Sequence, residues 1–179
     1  HIALWHPPMY IFLLSIVYQF STSEITTRSV NVIFSILTAI LIFLFCFSFI
    51  DKKRRLLIGL ISTTLFLTNF YVFSSSILID IDMLSTFFVL GFIFSILMYY
   101  KNQKIYFLYL AGASMFFGLA NRYPIMILTY SFVGVYYLFN DDFRKHFKKY
   151  LIVGAVSSIC FLIIWTIYST LIEPGNFLF

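Results

Sequence analysis

Long apolar runs alternate with short polar clusters along this chain. The run at positions 36–50, ILTAILIFLFCFSFI, is apolar almost throughout, whereas a strand of a membrane β-barrel would alternate apolar and polar side chains. A helix of about 20 apolar residues is long enough to cross about 30 Å of hydrocarbon, and it satisfies its own backbone hydrogen bonds there. The pattern therefore predicts six spanning helices, at 29–50, 56–79, 83–100, 105–120, 124–139 and 150–171.

Composition adds to this pattern and predicts an all-α integral membrane protein. Hydrophobic residues make up 61% of the 179 residues, charged residues make up 11%, and the mean hydropathy is +0.97. Soluble domains carry about a quarter charged residues, so this chain lacks the polar surface of a water-exposed fold. The net charge of +5 does not indicate a nucleic-acid partner, because the basic residues are confined to the segments between apolar runs.

Basic residues collect on one side of the predicted helices. Because Lys and Arg accumulate in cytoplasmic loops, the turns that carry them are predicted to be cytoplasmic. Residues 80–82 and 121–123, together with both ends of the chain, then face the extracytoplasmic or lumenal side of a plasma membrane or endoplasmic reticulum. Ten of the twelve basic residues follow the first, third and fifth spans: Lys52, Lys53, Arg54, Arg55, Lys101, Lys104, Arg144, Lys145, Lys148 and Lys149.

The first apolar segment, HPPMYIFLLSIVYQF at positions 6–20, is too short to span a membrane. Pro7 and Pro8 suit the first turn of a helix, where the amide that proline lacks would be unpaired. We therefore predict an interfacial juxtamembrane helix. The chain starts without a methionine or a signal-peptide pattern, so we interpret it as a fragment. The predicted organisation is an outward-facing helix and loop at 1–28, a six-span domain at 29–171 and the start of an outward loop at 172–179.

Two carboxylates, Asp80 and Asp82, lie in the short turn between the second and third predicted spans. An aspartate at this place can cap the following helix and interact favourably with its dipole, but one aspartate is enough for that task. A pair suggests that at least one carboxylate meets a polar or cationic group, because ionisable residues at membrane depth are often functional. Both are therefore candidate site residues.

Arg122, in GLANRYP, and Arg28 lie on the side that is otherwise poor in basic residues. Each has a functional interpretation, because a guanidinium fork matches the oxygens of a phosphate. Each also has a structural one. Arg122 could pair with an aspartate or extend to the interface, and Arg28 could pair with Glu24 four residues earlier in the same helix.

The sequence lacks the common motifs of soluble enzymes. It contains no Gly-rich phosphate loop, no Ser-His-Asp order and no cysteine pair at metal-ligand spacing. His6 is a lone histidine before two prolines, and Cys46 and Cys160 lie among Phe, Ile and Leu in the middle of predicted spans. No metal site is therefore predicted from the residues alone.

Five segments follow one another along the chain: HPPMYIFLLSIVYQF, TTRSVNVIFSILTAILIFL, ILIDIDMLSTFFVLGFIFSILMYY, YLAGASMFFGLANRYPIMIL and IIWTIYSTLIEPGNFLF. Together they resemble the N-terminal half of the GT-C glycosyltransferases, in the branch of dolichyl-phosphate-mannose protein mannosyltransferases and aminoarabinose transferase-like enzymes. In that family a His-Pro-Pro segment begins a juxtamembrane helix, as at His6, and an arginine opens the next span, as at Arg28. An acidic residue followed by four residues and a Phe matches Asp82 better than Asp80. The likeness covers nearly all 179 residues.

The family pattern GLAxLTKxP resembles GLANRYP and places Arg122 at the usual Lys. The resemblance implies an inverting membrane glycosyltransferase of the mannosyltransferase type. Such an enzyme moves a sugar from a polyprenyl-phosphate carrier to a protein, lipid or glycan acceptor at the extracytoplasmic or lumenal face. It implies a catalytic place for Asp82, with Asp80 beside it, and a lipid-phosphate or substrate-binding place for Arg122, Arg28 and His6.

The resemblance leaves the metal cofactor and the general class of function open. The first acidic motif of the family is expected upstream of this chain, and a divalent metal cofactor stays open because relatives differ in it. A transporter or flippase could use the same charges, although transporters place them near the membrane midplane rather than at helix ends. A non-catalytic scaffold with a GT-C-like fold is the third interpretation.

Overall fold

The structure, a computed structural model, describes residues 9–78 and 81–172, and each regular element in these two ranges is a helix. This confirms the predicted all-α fold class. The helices are α1 Met9–Tyr18, α2 Glu24–Phe49, α3 Arg55–Thr68, α4 Phe70–Ile77, α5 Asp82–Asn102, α6 Tyr106–Phe139, α7 Asp141–Arg144 and α8 Phe147–Ile172.

Helices α2, α5 and α8 correspond to the first, third and sixth predicted spans. Helix α2 begins five residues before its predicted start, because the Ser23 hydroxyl accepts a hydrogen bond from the Thr26 amide at 3.2 Å and caps the helix at Glu24. Helix α1 confirms a short helix within 6–20, and its juxtamembrane placement stays a prediction.

The second predicted span is broken at Asn69. Helices α3 and α4 are bent by 59° relative to each other at this residue. The Asn69 side chain accepts hydrogen bonds from the amides of Tyr71, at 2.9 Å, and Val72, at 3.4 Å, so it caps α4 as a separate helix. The far end of α4 is also held, because the buried Asn31 amide donates to the carbonyl of Leu78 at 2.6 Å.

Helix α6 is a hairpin of two arms, 106–121 and 123–139, that reverses at Arg122. The backbone of Arg122 is non-helical, with φ −153° and ψ 82°, and Pro124 lies in the first turn of the returning arm, where its missing amide is tolerated. The rings of Phe92 and Tyr130 lie 6.1 Å apart, which a straight α6 would prevent. The predicted turn at 121–123 is therefore present.

The prediction of six spans is wrong when the helices are judged by their length and composition. Within residues 9–78 and 81–172, three helices are long and apolar enough to cross a membrane, at Glu24–Phe49, Asp82–Asn102 and Lys148–Thr170, and the bent pair α3 and α4 makes a fourth if it counts as one broken span. The difference has two causes. The cap at Asn69 divides the second span, and the turn at Arg122 leaves two arms of α6 that each fall short of 18 residues.

Contacts between distant helices define two ends of the bundle. At one end, which we call the Asp82 end, Leu78 contacts the first turns of α2 and the turn of α6 contacts the start of α5. At the opposite end, the basic end, Lys101 donates to the Ser48 carbonyl and Lys149 donates to the Tyr99 hydroxyl. The ten basic residues that were predicted to share a face belong to the turns and helix ends of the basic end.

Two buried clusters support these ends. The larger cluster joins α5, α6 and α8 around Phe92, Tyr99 and Tyr150, each at most 2% exposed. The smaller cluster packs Tyr10 and Leu14 of α1 against Leu84, two residues after Asp82. The first turn of α5 therefore rests on a packed base.

Candidate active site at the Asp82 end

Asp82 is the first residue of α5, and its carboxylate is held by two other helical segments. Its Oδ1 accepts a hydrogen bond from Nη1 of Arg122 in α6, and its Oδ2 accepts one from the hydroxyl of Tyr71 in α4. The Asp82 side chain is 18% exposed. The carboxylate thus joins three elements that are far apart in sequence.

This geometry goes beyond helix capping. The N-cap residue of α5 is Ile81, which makes no side-chain cap hydrogen bond. Asp82 lies inside the first turn, where a negative charge interacts favourably with the helix dipole, but both of its oxygens are directed to side chains of other helices. The interpretation of Asp82 as a cap alone therefore does not account for its contacts.

The position of Arg122 is set by its neighbour Asn121. The Asn121 side chain is 1% exposed, and its amide nitrogen donates to the Ile81 carbonyl at 3.1 Å and to the Ser85 hydroxyl at 2.7 Å. These two bonds attach the turn of α6 to the first turn of α5. The non-helical backbone of Arg122 then brings its guanidinium onto Asp82.

The guanidinium of Arg122 is only partly engaged by Asp82. An arginine has five N–H donors in a planar fork, and the contact with Asp82 uses Nη1. The side chain is 37% exposed, so part of the fork is open to a ligand. Such a permanently charged group, held in place by a carboxylate, is suited to bind a phosphate.

Tyr71 is a site residue that the sequence reasoning missed. It lies inside the second predicted span, at 56–79, and nothing in its own surroundings marked it as different. The available signal was Asn69, a strong helix-capping residue type inside a predicted span. The bend at Asn69 gives α4 the direction that brings the Tyr71 hydroxyl to Asp82.

The structure does not bring every candidate together. Arg28 pairs with Glu24, as its structural interpretation predicted, and both side chains are exposed. It lies at the same end of the bundle as Asp82. Asp80 and His6 lie outside the described residues, so their places in the site stay predictions.

Comparison with known protein families identifies a family that matches most of the chain. The family described as dolichyl-phosphate-mannose-protein mannosyltransferase matches residues 5–168, which is most of the chain and includes every residue of the site described above. No curated protein and no solved structure matches the chain.

Proposed function

The chain belongs to the dolichyl-phosphate-mannose-protein mannosyltransferase family, and on that premise we propose that the Asp82 end binds a lipid-linked sugar and supports its transfer. Membership makes the chain part of a membrane glycosyltransferase of the GT-C type. The finer proposal is that the donor is a sugar on a polyprenyl phosphate and that transfer occurs at the extracytoplasmic or lumenal face. The concentration of basic residues at the opposite end supports this orientation.

In the proposed reaction, an acceptor hydroxyl attacks the anomeric carbon of the sugar. A bond forms between the acceptor oxygen and that carbon, and the bond from the carbon to the phosphate oxygen breaks with inversion. The phosphate leaves with the bonding electron pair, and a carboxylate takes the acceptor proton. Negative charge therefore develops on the phosphate, where a preorganised cation lowers the barrier.

Arg122 and Asp82 have complementary parts in this reaction. Arg122 supplies the cation for the leaving phosphate. Asp82 holds Arg122 in place before the donor arrives and orients the acceptor by hydrogen bonding. We assign the proton-accepting base to the other acidic residue that the family resemblance implies, and not to Asp82.

The observation that carries the proposal is the ion pair between Asp82 and Arg122. A partly exposed ion pair contributes little to stability, and burying charges costs desolvation energy. The turn of α6 is already attached to α5 by the neutral hydrogen bonds of Asn121. Because the charges are not needed to join the two helices, a functional role explains them better than a structural one.

The test uses the complete protein, purified from membranes, with synthetic polyprenyl-phosphate mannose as donor. Acceptors are a Ser/Thr-containing peptide, a lipid-linked glycan and a free glycan, each assayed separately. We expect transfer with inversion to one acceptor class and a loss of about 100-fold or more in Asp82→Asn. Asp141→Asn is the matched control, because Asp141 pairs with Arg144 at the basic end. Equal rates in Asp82→Asn and the unaltered protein would remove Asp82 from the site.

A further inference from the structure

The Asp82 carboxylate accepts a second hydrogen bond, from the hydroxyl of Tyr71, and the proposed reaction gives this hydrogen bond a role. In the structure, Arg122 binds Oδ1 of Asp82 and Tyr71 binds Oδ2. When a donor phosphate arrives, it competes with Asp82 for the same guanidinium. The hydroxyl of Tyr71 is neutral and donates one hydrogen, so its bond to a carboxylate oxygen is unaffected by that competition.

We propose that Tyr71 is a positioning residue that keeps the Asp82 carboxylate oriented while Arg122 engages the phosphate of the lipid-linked sugar. This inference rests on the proposed function and adds a third side chain to it. Hydrogen bonds to a charged group are stronger than bonds between neutral groups, so loss of this hydroxyl has a measurable cost.

The placement of Tyr71 does not follow from burial of its ring. The residue is 57% exposed, so the hydrophobic effect does little to fix it. Its place follows from α4, which is capped by Asn69 at its start and held by Asn31 at its end. The 59° bend between α3 and α4 directs Tyr71 to the start of α5 instead of continuing the line of α3. Helix α4 is therefore held by polar contacts at both of its ends, and Tyr71 lies between them.

The alternative is that Tyr71 is an interfacial anchor, a common place for tyrosine in membrane proteins. The two interpretations differ in what the hydroxyl does. If Tyr71 is an anchor, the Tyr71→Phe variant keeps the ring and loses little activity. If Tyr71 is a positioning residue, the Tyr71→Phe variant loses the hydrogen bond to Asp82 while the ring and the fold are unchanged.

The experiment measures steady-state transfer by the complete protein for Tyr71→Phe, with Tyr109→Phe as matched control. Tyr109 is 72% exposed and lies in the first turn of α6 at the basic end. We expect Tyr71→Phe to lower kcat about tenfold, the size of one hydrogen bond to a charged group. The KM for the lipid-linked donor should change less than about twofold, because Arg122 is intact. Tyr109→Phe should match the unaltered protein in both constants.

Each other outcome decides against the inference. A raised KM with unchanged kcat would make Tyr71 a donor-binding residue instead. A fall in the thermal unfolding midpoint that is absent from Tyr109→Phe would make it a structural residue. If Tyr71→Phe retains full activity while Asp82→Asn is inactive, the role of Tyr71 fails and the proposed function stands. If both variants retain full activity, the assignment of the transfer site to the Asp82 end fails as well.

Discussion

Two aspartate–arginine pairs, at opposite ends of the bundle, differ in what holds them. Asp141 and Arg144 are three residues apart in one short helix, with N–O distance 2.9 Å and an Asp141 side chain that is 89% exposed. Asp82 and Arg122 are forty residues apart on different helices, and the Asp82 side chain is 18% exposed. The first pair is a local feature of a helix turn. The second requires the fold of α4, α5 and α6 to exist, so its presence indicates a site.

Removal of Arg122 is expected to have the largest effect and tests the functional side of this comparison. Arg122→Ala should lower the rate of sugar transfer by about 100- to 1,000-fold, because the developing phosphate charge loses its preorganised cation. Arg144→Ala, which breaks the local pair, should stay within about twofold. Initial rates from a polyprenyl-phosphate sugar measure both. A comparable loss in the two variants would mean that the two ends are not functionally different.

Removal of Asn121 tests the structural side of the comparison. Asn121→Ala should lower the free energy of unfolding by about 2 kcal/mol, because two buried hydrogen bonds between α6 and α5 are lost. Asn140→Ala is the control, since Asn140 is only partly buried and caps the short helix α7 by accepting one hydrogen bond from the Phe143 amide, so its loss should cost about 1 kcal/mol or less. Thermal unfolding in detergent shows which of the two variants loses more stability. A larger effect at Asn140 would show that the turn at Arg122 does not depend on Asn121.

Removal of the local pair is expected to have the smallest effect. Asp141→Asn should change the free energy of unfolding by about 0.5 kcal/mol or less, the usual size for ion pairs within a helix turn. It should leave sugar transfer unchanged. A fall of tenfold in transfer would contradict the interpretation that this pair is local and would make the basic end part of the site.

The sequence predicted those parts of the fold that depend on bulk apolar character. The helices α2, α5 and α8, the reversal at 121–123 and the grouping of basic residues at one end all follow from long apolar runs and the spacing of charges. The break at Asn69 was missed because one polar side chain within an apolar run changes hydropathy very little. It changes the backbone greatly, since it caps two amides of α4.

The candidate site was predictable from the sequence only in part. Asp82 and Arg122 are charges among apolar residues, so they stood out, and the family resemblance separated Asp82 from Asp80. An aspartate partner for Arg122 was one of the interpretations that the sequence left open, and the structure confirms it. That the partner is Asp82 depends on the antiparallel packing of α5 against α6, which a list of spans does not contain. Tyr71 is uncharged and belongs to none of the recognised motifs. Its proposed role depends on the bend between α3 and α4, which the apolar pattern did not show.

We propose that Arg122, held by Asp82, binds the phosphate of the lipid-linked sugar. Equilibrium binding of polyprenyl monophosphate to the complete protein in detergent tests this without any need for turnover. We predict that the dissociation constant is raised about tenfold or more in Arg122→Ala, because a charge-assisted contact is lost, and is unchanged in Arg144→Ala. Equal affinity in Arg122→Ala and the unaltered protein would contradict it.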